Sequence, residues 1–306
     1  MISNTYTTKM TLNNPSLWNL AFYNPEIGKF SQPTPLSIEC LSKYFNIPIK
    51  KIKPLQFSDK ETKEFMQGAR VFKVKTNRHY KVRMCNNEDE AKSVFERSQF
   101  AFKIGIPTPR PLFQQDSLVV FEYIQGRQIS LSERASFLQE IAKVQNTMNK
   151  TRVPNVDEGL VERLTKGMID QTLFQLGFFD QTSARVLKDK LAKKPALVPV
   201  YDHQDYGIHN LLLTGSRRII VTDEESYGIL PLGYGIIRPI FDRENYRIVD
   251  DKDPVKYLKF FDAYDYLMEN LSFFRSLFIM RNSYRRFKMG NHKGARALLG
   301  DLSNYE

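Results

Sequence analysis

Cysteine is scarce, with Cys40 and Cys85 the only two in 306 residues, far apart and in different contexts. That excludes a disulfide framework and gives no support to a cysteine metal site, so a reducing compartment is the simplest reading. Long apolar runs are also missing. The nearest, residues 271–280, is broken by Arg275 and reads as a core helix rather than a membrane span. The first residues, Met1 to Thr5, have neither the basic start nor the apolar core of a secretory signal, which points to the cytoplasm. Internal repeats and low-complexity tracts are absent too.

What is present is a basic chain with a core. The hydrophobic fraction of 42% fits a folded globule, and the length suits one large domain or two lobes. The formal charge of +11 invites a polyanionic partner and would favour the approach of anionic ligands electrostatically. Its main concentration is Arg275, Arg281, Arg285, Arg286, Lys288, Lys293 and Arg296, on a stretch with helical character. A solvated helix face explains that concentration, and an acidic or membrane-surface contact is the sharper alternative; nucleic acid is not expected.

Along the chain, residues 1–34 show no sustained period and read as an irregular extension packed by Trp18, Phe22 and Tyr23. Residues 36–45 have helical spacing with Ser37 as cap, and a short strand follows at 49–52. Strand alternation is strongest over 70–76 and 79–84, joined by Asn77 and Arg78 as a hairpin. Residues 88–104 read as a helix stopped by Gly105, and three prolines, Pro107, Pro109 and Pro111, lead into a buried strand over 117–124. Helices are expected near 132–149, 158–176 and 182–191, a second hairpin at 211–213 and 219–221, and a helix-rich tail from 255 to 299. The expected organisation is thus an N-terminal extension over 1–34, a β-rich lobe over 35–125 and a mainly helical lobe over 126–306.

The chemistry concentrates in His203-Gln204-Asp205-Tyr206-Gly207-Ile208-His209-Asn210, with Asp223 thirteen residues after the asparagine at the end of an apolar run. An aspartate, an asparagine five residues on, and a second aspartate closing a strand is the spacing that kinase-type phosphoryl transfer requires. One carboxylate must meet an acceptor hydroxyl, while an amide oxygen and another carboxylate hold the magnesium that neutralises a triphosphate. Turn capping explains each residue alone; the joint spacing favours the chemistry.

This pattern resembles the aminoglycoside phosphotransferase and choline kinase group, which has a protein-kinase-like bilobal fold with a small β-rich N-lobe and a larger mainly helical C-lobe. The group's His-Gly-Asp, four variable residues, then Asn is matched by His203-Gln204-Asp205 and Asn210, and its Ile-Asp-Phe-Glu type motif by Val221-Thr222-Asp223-Glu224-Glu225. The resemblance implies Asp205 as catalytic base or hydroxyl-orienting carboxylate, and Asn210 and Asp223 as Mg2+ ligands. ATP is the implied donor and a small-molecule or glycan hydroxyl the implied acceptor. Tyr80-Lys81-Val82-Arg83 is similar to the end of the family's third strand, which puts Arg83 at the phosphate contact with Lys81 on the same side of the strand. Glu96 is the implied partner of that cation, with Glu90 as alternative, and Glu122 to Ile124 the implied adenine hinge. His203 is assigned to loop organisation, and His209 to the loop without a partner acid.

The sequence departs from the pattern in its nucleotide-covering loop, residues 57–69, where Gly68 is the only glycine. Protein kinases match poorly, since Asp223-Glu224-Glu225 stands where they have Asp-Phe-Gly and Gln204 where they have arginine. Two other readings stay open. Lipopolysaccharide core sugar kinases have a similar loop, and the basic tail would suit their substrate at a membrane face. A pseudokinase scaffold binding an acidic partner is the non-enzymatic alternative.

Overall fold

The computed structural model describes residues 48–55, 70–242 apart from 152, 154 and 155, 246–249 and 253–302, together with Leu17, Trp18, Tyr23, Leu41 and Ser42. In chain order the first elements are β1 (Lys51–Pro54), β2 (Val71–Lys75), β3 (His79–Met84), α1 (Glu88–Lys103), β4 (Pro111–Gln115), β5 (Leu118–Glu122) and β6 (Gly126–Gln128). Helices α2 (Leu138–Lys150), α3 (Glu158–Gly177) and α4 (Gln181–Ala192) precede β7 (Pro199–His203), β8 (Leu211–Thr214), β9 (Ile219–Val221) and β10 (Tyr227–Pro231). The chain ends in α5 (Tyr234–Phe241), α6 (Pro254–Leu258), α7 (Tyr264–Glu269), α8 (Leu271–Lys288) and α9 (His292–Gly300). Two compact units result: one is Gly28–Arg127 with Leu212–Tyr227, the other Met1–Ile27, Gln128–Leu211 and Gly228–Glu306. The expected helix at 36–45 and the nucleotide-covering loop at 57–69 lie outside the described residues, apart from Leu41 and Ser42.

The β-rich unit is built on an antiparallel sheet of order β1-β2-β3-β5-β4. The expected hairpin forms β2 and β3, with Lys73 opposite Lys81 and Val71 opposite Arg83. Alternation sorts the side chains: Leu41, Phe72, Val74, Tyr80, Val82, Leu118 and Val120 make one buried cluster. Val119 and Phe121 face the other way, into a cluster with Ala91, Val94 and the free thiol of Cys85. Helix α1 starts where Asn87 accepts a hydrogen bond from the Glu90 amide, carries Glu88, Asp89 and Glu90 in its first turn, and stops before Gly105 at φ 85°. The acidic first turn complements the helix dipole, and only glycine adopts that stop readily.

The helical unit contains the two-stranded pair β7 and β10 and most of the helices. Trp18 bridges to Ile229 of β10 and packs its ring on Tyr23 at 5.7 Å, so these two aromatics of the N-terminal segment are core residues. α8 supplies Phe273, Phe274, Leu277, Phe278 and Met280 to the interior, which explains why its apolar run is no membrane span. Among the described residues no helix is long and apolar enough to cross a membrane.

Phe121 is fully buried between the sheet and α1. Phe121→Ala is expected to cost about 3–5 kcal/mol in urea unfolding; a loss below about 1 kcal/mol would show that this layer is not the core of the unit.

Candidate active site

In the β-rich unit the register places Lys81 opposite Phe121 and Arg83 opposite Val119. Both cations therefore share the sheet face that α1 covers. Their partners come from the turn after β9. Lys81 donates to both oxygens of Glu224, at 2.8 and 2.6 Å, and the Glu224 side chain is wholly buried. Arg83 pairs with Glu225 and lies 3.5 Å from Asp223 Oδ1. Asp223 sits in the left-handed region at φ 67°, a conformation Asp tolerates better than most residues. Ser226 donates its hydroxyl to Asp223 Oδ2 at 2.6 Å and its amide to the Asp223 carbonyl, fixing the carboxylate's direction.

The turn is anchored from two sides. The Val221 amide bonds to the Pro107 carbonyl, and buried Arg97 of α1 donates to the Tyr227 carbonyl at 3.0 Å. Glu96, the sequence's candidate partner for the phosphate-contacting cation, makes no ion pair among the described residues. Its neighbour Arg97 takes the buried face of α1, and the Asp223–Glu225 turn supplies the carboxylates instead. Glu90 is also engaged elsewhere, accepting from the Asn86 amide and side chain. At the end of β5, Glu122 pairs in register with Tyr80 and donates its amide to the Arg110 carbonyl, while Ile124 follows in the connector.

In the helical unit β7 delivers the acidic loop. Asp202 and His203 at its end are fully buried, and Asp202 accepts from Gln145, whose own amide oxygen receives the Tyr257 hydroxyl. Burial pushes the Asp202 carboxyl up to about 6, against hydrogen bonds that favour its charge. Gly235 permits this packing, since a Cβ there would fall 2.4 Å from Asp202 Oδ2. The buried Tyr206 side chain ties the loop to the α2 backbone by donating to the Ile141 carbonyl. Gly207 leaves room for the His209 ring, which stands edge-on to Tyr246 at 4.2 Å.

Asp205 emerges from this frame with its side chain 19% exposed. Its Oδ1 lies 2.8 Å from Arg238 Nε and 3.3 Å from His209 Nε2. The same Arg238 nitrogen is 2.8 Å from Asp242, so one guanidinium is shared by two carboxylates. Burial works against the Asp205 charge, but Arg238, His209 and Arg285 outweigh it and hold the carboxyl well below the usual carboxylate range. Asn210 donates its amide nitrogen to the Asp205 carbonyl at 2.8 Å, which turns its oxygen the other way. His209, expected to have no partner acid, has Asp205 as one; the i, i+4 spacing across the turn was the signal.

No protein-family model matches the chain, and no curated protein sequence matches it. Solved structures do. The aminoglycoside phosphotransferase APH(2")-IIa in complex with gentamicin superposes with TM-score 0.61 at 13% identity, over 90% of this chain and 98% of its own. A thermostable APH(4)-Ia variant with AMP-PNP and hygromycin B gives 0.63 at 15% identity, over 87% and 96%. An ethanolamine kinase of Plasmodium vivax gives 0.53 at 14% identity, over 78% and 80%. The chain has the fold of the aminoglycoside phosphotransferases.

For a chain of that kinase-like fold, the residues singled out by sequence fall into two sets. Asp205 and Asn210 share one loop of the helical unit, and Lys81, Arg83 and Asp223 gather in the β-rich unit with Glu224 and Glu225. Arg238 and Asp242 were missed, because nothing near them in sequence marks a site. Much of the basic tail is committed internally: Arg275 donates to the Asp301 carbonyl, Arg281 to the Tyr234 hydroxyl and Arg286 to the Gly294 carbonyl, while Arg296 lies over the Phe179 ring. Among the described residues no group of three or more His, Cys, Asp or Glu side chains is arranged to hold a metal. Magnesium held by one or two side-chain oxygens and by substrate phosphates needs no such cluster, and the hard oxygens of Asp223 and Asn210 fit that chemistry.

Two measurements test this description. Lys81→Ala should cost about 3–5 kcal/mol in urea unfolding because it strands a buried carboxylate, and adding Glu224→Gln should recover most of the loss; additive losses would dissolve the pair. For Asp202, the folded state keeps its proton where the unfolded chain has released it, so stability falls as pH rises from about 4 to about 6. Thermal unfolding of the wild type relative to Asp202→Asn should show that decline, and a flat difference would remove the protonated carboxyl.

Proposed function

We propose that this chain is an ATP-dependent phosphotransferase that moves the γ-phosphate to a hydroxyl of a small molecule or glycan. The observation that carries the proposal is the acidic loop itself, with Asp205 kept ionised beside Asn210 in a chain of kinase-like fold. Asp205 faces the acceptor hydroxyl, Lys81 and Arg83 take the donor phosphates, and Glu122 to Ile124 present backbone groups to the base. Asp223 and Asn210 are the residues that would hold magnesium. When bound, that ion neutralises charge on the phosphates.

A carboxylate held this far below its ordinary range is a weak base, so its role is to orient the hydroxyl and stabilise it electrostatically. The acceptor oxygen forms its bond to phosphorus as the bond to ADP breaks, and the hydroxyl proton leaves to the transferred phosphoryl group or to solvent. Before transfer, Arg83 and Lys81 must exchange carboxylates for phosphate oxygens. A guanidinium is suited to that exchange because both ligands match its planar fork.

Purified Asp205→Asn protein should retain nucleotide binding by calorimetry and lose at least about a hundredfold of label transfer from γ-labelled ATP. Wild-type transfer by that variant would refute the assignment of Asp205.

A further inference from the structure

Among the described residues, the surroundings of Asp205 carry more positive charge than its own carboxylate and that of Asp242 balance. Facing them are three guanidinium groups, Arg238, Arg285 and Arg286, with the His209 imidazole beside Asp205. Arg238 is spent on both carboxylates, and Arg286 lies 4.0 Å from Asp242 while donating to the Gly294 carbonyl. Arg285 differs. It is exposed, its side chain makes no hydrogen bond or ion pair among the described residues, and yet it lies close enough to act on the Asp205 charge.

Helix geometry explains how it gets there. Arg281 of α8 donates to the Tyr234 hydroxyl of α5, and Arg286 reaches Asp242 at the end of α5. The two helices therefore run alongside in the same direction, Arg285 one turn beyond Arg281 just as Arg238 is one turn beyond Tyr234. That puts an exposed cation level with the guanidinium that holds Asp205. Two neighbouring guanidinium groups repel unless an anion sits with them, and among the described residues no carboxylate pairs directly with Arg285. A polycationic acceptor would meet the same repulsion without compensation.

Building on the phosphotransferase reading, we propose that the acceptor is a hydroxyl compound that already carries a negative group, a phosphate or a carboxylate, and that Arg285 receives that group while Asp205 faces the hydroxyl. A guanidinium binds either anion through paired hydrogen bonds, and one such charge-assisted contact corresponds to about a tenfold effect on affinity or more.

The test is label transfer from γ-labelled ATP, with the full-length protein, to a metabolite extract separated beforehand into anionic, neutral and cationic pools. Transfer is expected to the anionic pool. For the labelled compound Arg285→Gln should raise KM about tenfold with a smaller change in kcat, and Arg285→Lys should recover part of it. Digestion of the anionic pool with a phosphatase, which is then removed, before the reaction distinguishes a phosphate, whose loss abolishes labelling, from a carboxylate, which is unaffected. Transfer confined to the neutral or cationic pool, or an unchanged KM in Arg285→Gln, overturns this inference and leaves the phosphotransferase reading in place. Transfer to no pool overturns that reading as well.

Discussion

A charge withdrawn from water has to meet its opposite, and this constraint sets the positions of the residues that matter here. Arg238 lies between Asp205 and Asp242, and Lys81 closes on the wholly buried carboxylate of Glu224. In each case the carboxylate is not free to choose a direction. The packing around the pair decides it: Gly235 brings α5 against Asp202 at the root of the acidic loop, and the Arg97 bond to the Tyr227 carbonyl seats the turn that carries Glu224.

The two units use the same device to different ends. In the β-rich unit the cations come from a strand, and period-two alternation puts Lys81 and Arg83 on one face without further instruction. In the helical unit the cations come from helices distant in sequence, and α5 and α8 must pack before Arg238 and Arg285 can act on Asp205. The first arrangement is local and tolerant. The second depends on tertiary structure, so changes to the α5 and α8 contact should be felt in the properties of Asp205.

That difference explains what the sequence disclosed. The hairpin of β2 and β3, the helix stopped by Gly105 and the loop from His203 to Asn210 all carry their cause within a few residues: alternation, a left-handed stop, a fixed spacing. The kinase-like fold was legible because those local features occur in a recognisable order. Arg238 was not legible, since it sits in an apolar helix with Pro239 behind it and meets Asp205 through tertiary contact. Glu96 was selected by interval along the chain, whereas the partners of Lys81 and Arg83 come from Glu224 and Glu225, over a hundred residues away. Intervals transfer between sequences only where the local backbone, rather than a distant segment, decides the contact. The hairpin of β8 and β9 was read correctly, but the pairing of β7 with β10 was missed because its strands are separated by the acidic loop and that hairpin.

The low basicity imposed on Asp205 bears on which chemistry the loop can support. A group that is to accept a proton gains from a value near working pH, and such a group stands at the end of β7 in Asp202, near 6 and fully buried. Asp205, within reach of solvent, is held in its charged form by Arg238, His209 and Arg285. The better base is thus kept inside the strand that leads into the loop, and the weaker one stands on the loop itself. That division suits a reaction in which the attacking oxygen needs direction and charge stabilisation more than prior deprotonation, as expected for loose phosphoryl transfer. The cations that depress Asp205 also fix the local field, so the low basicity of this carboxylate and the acceptor charge we propose rest on one arrangement.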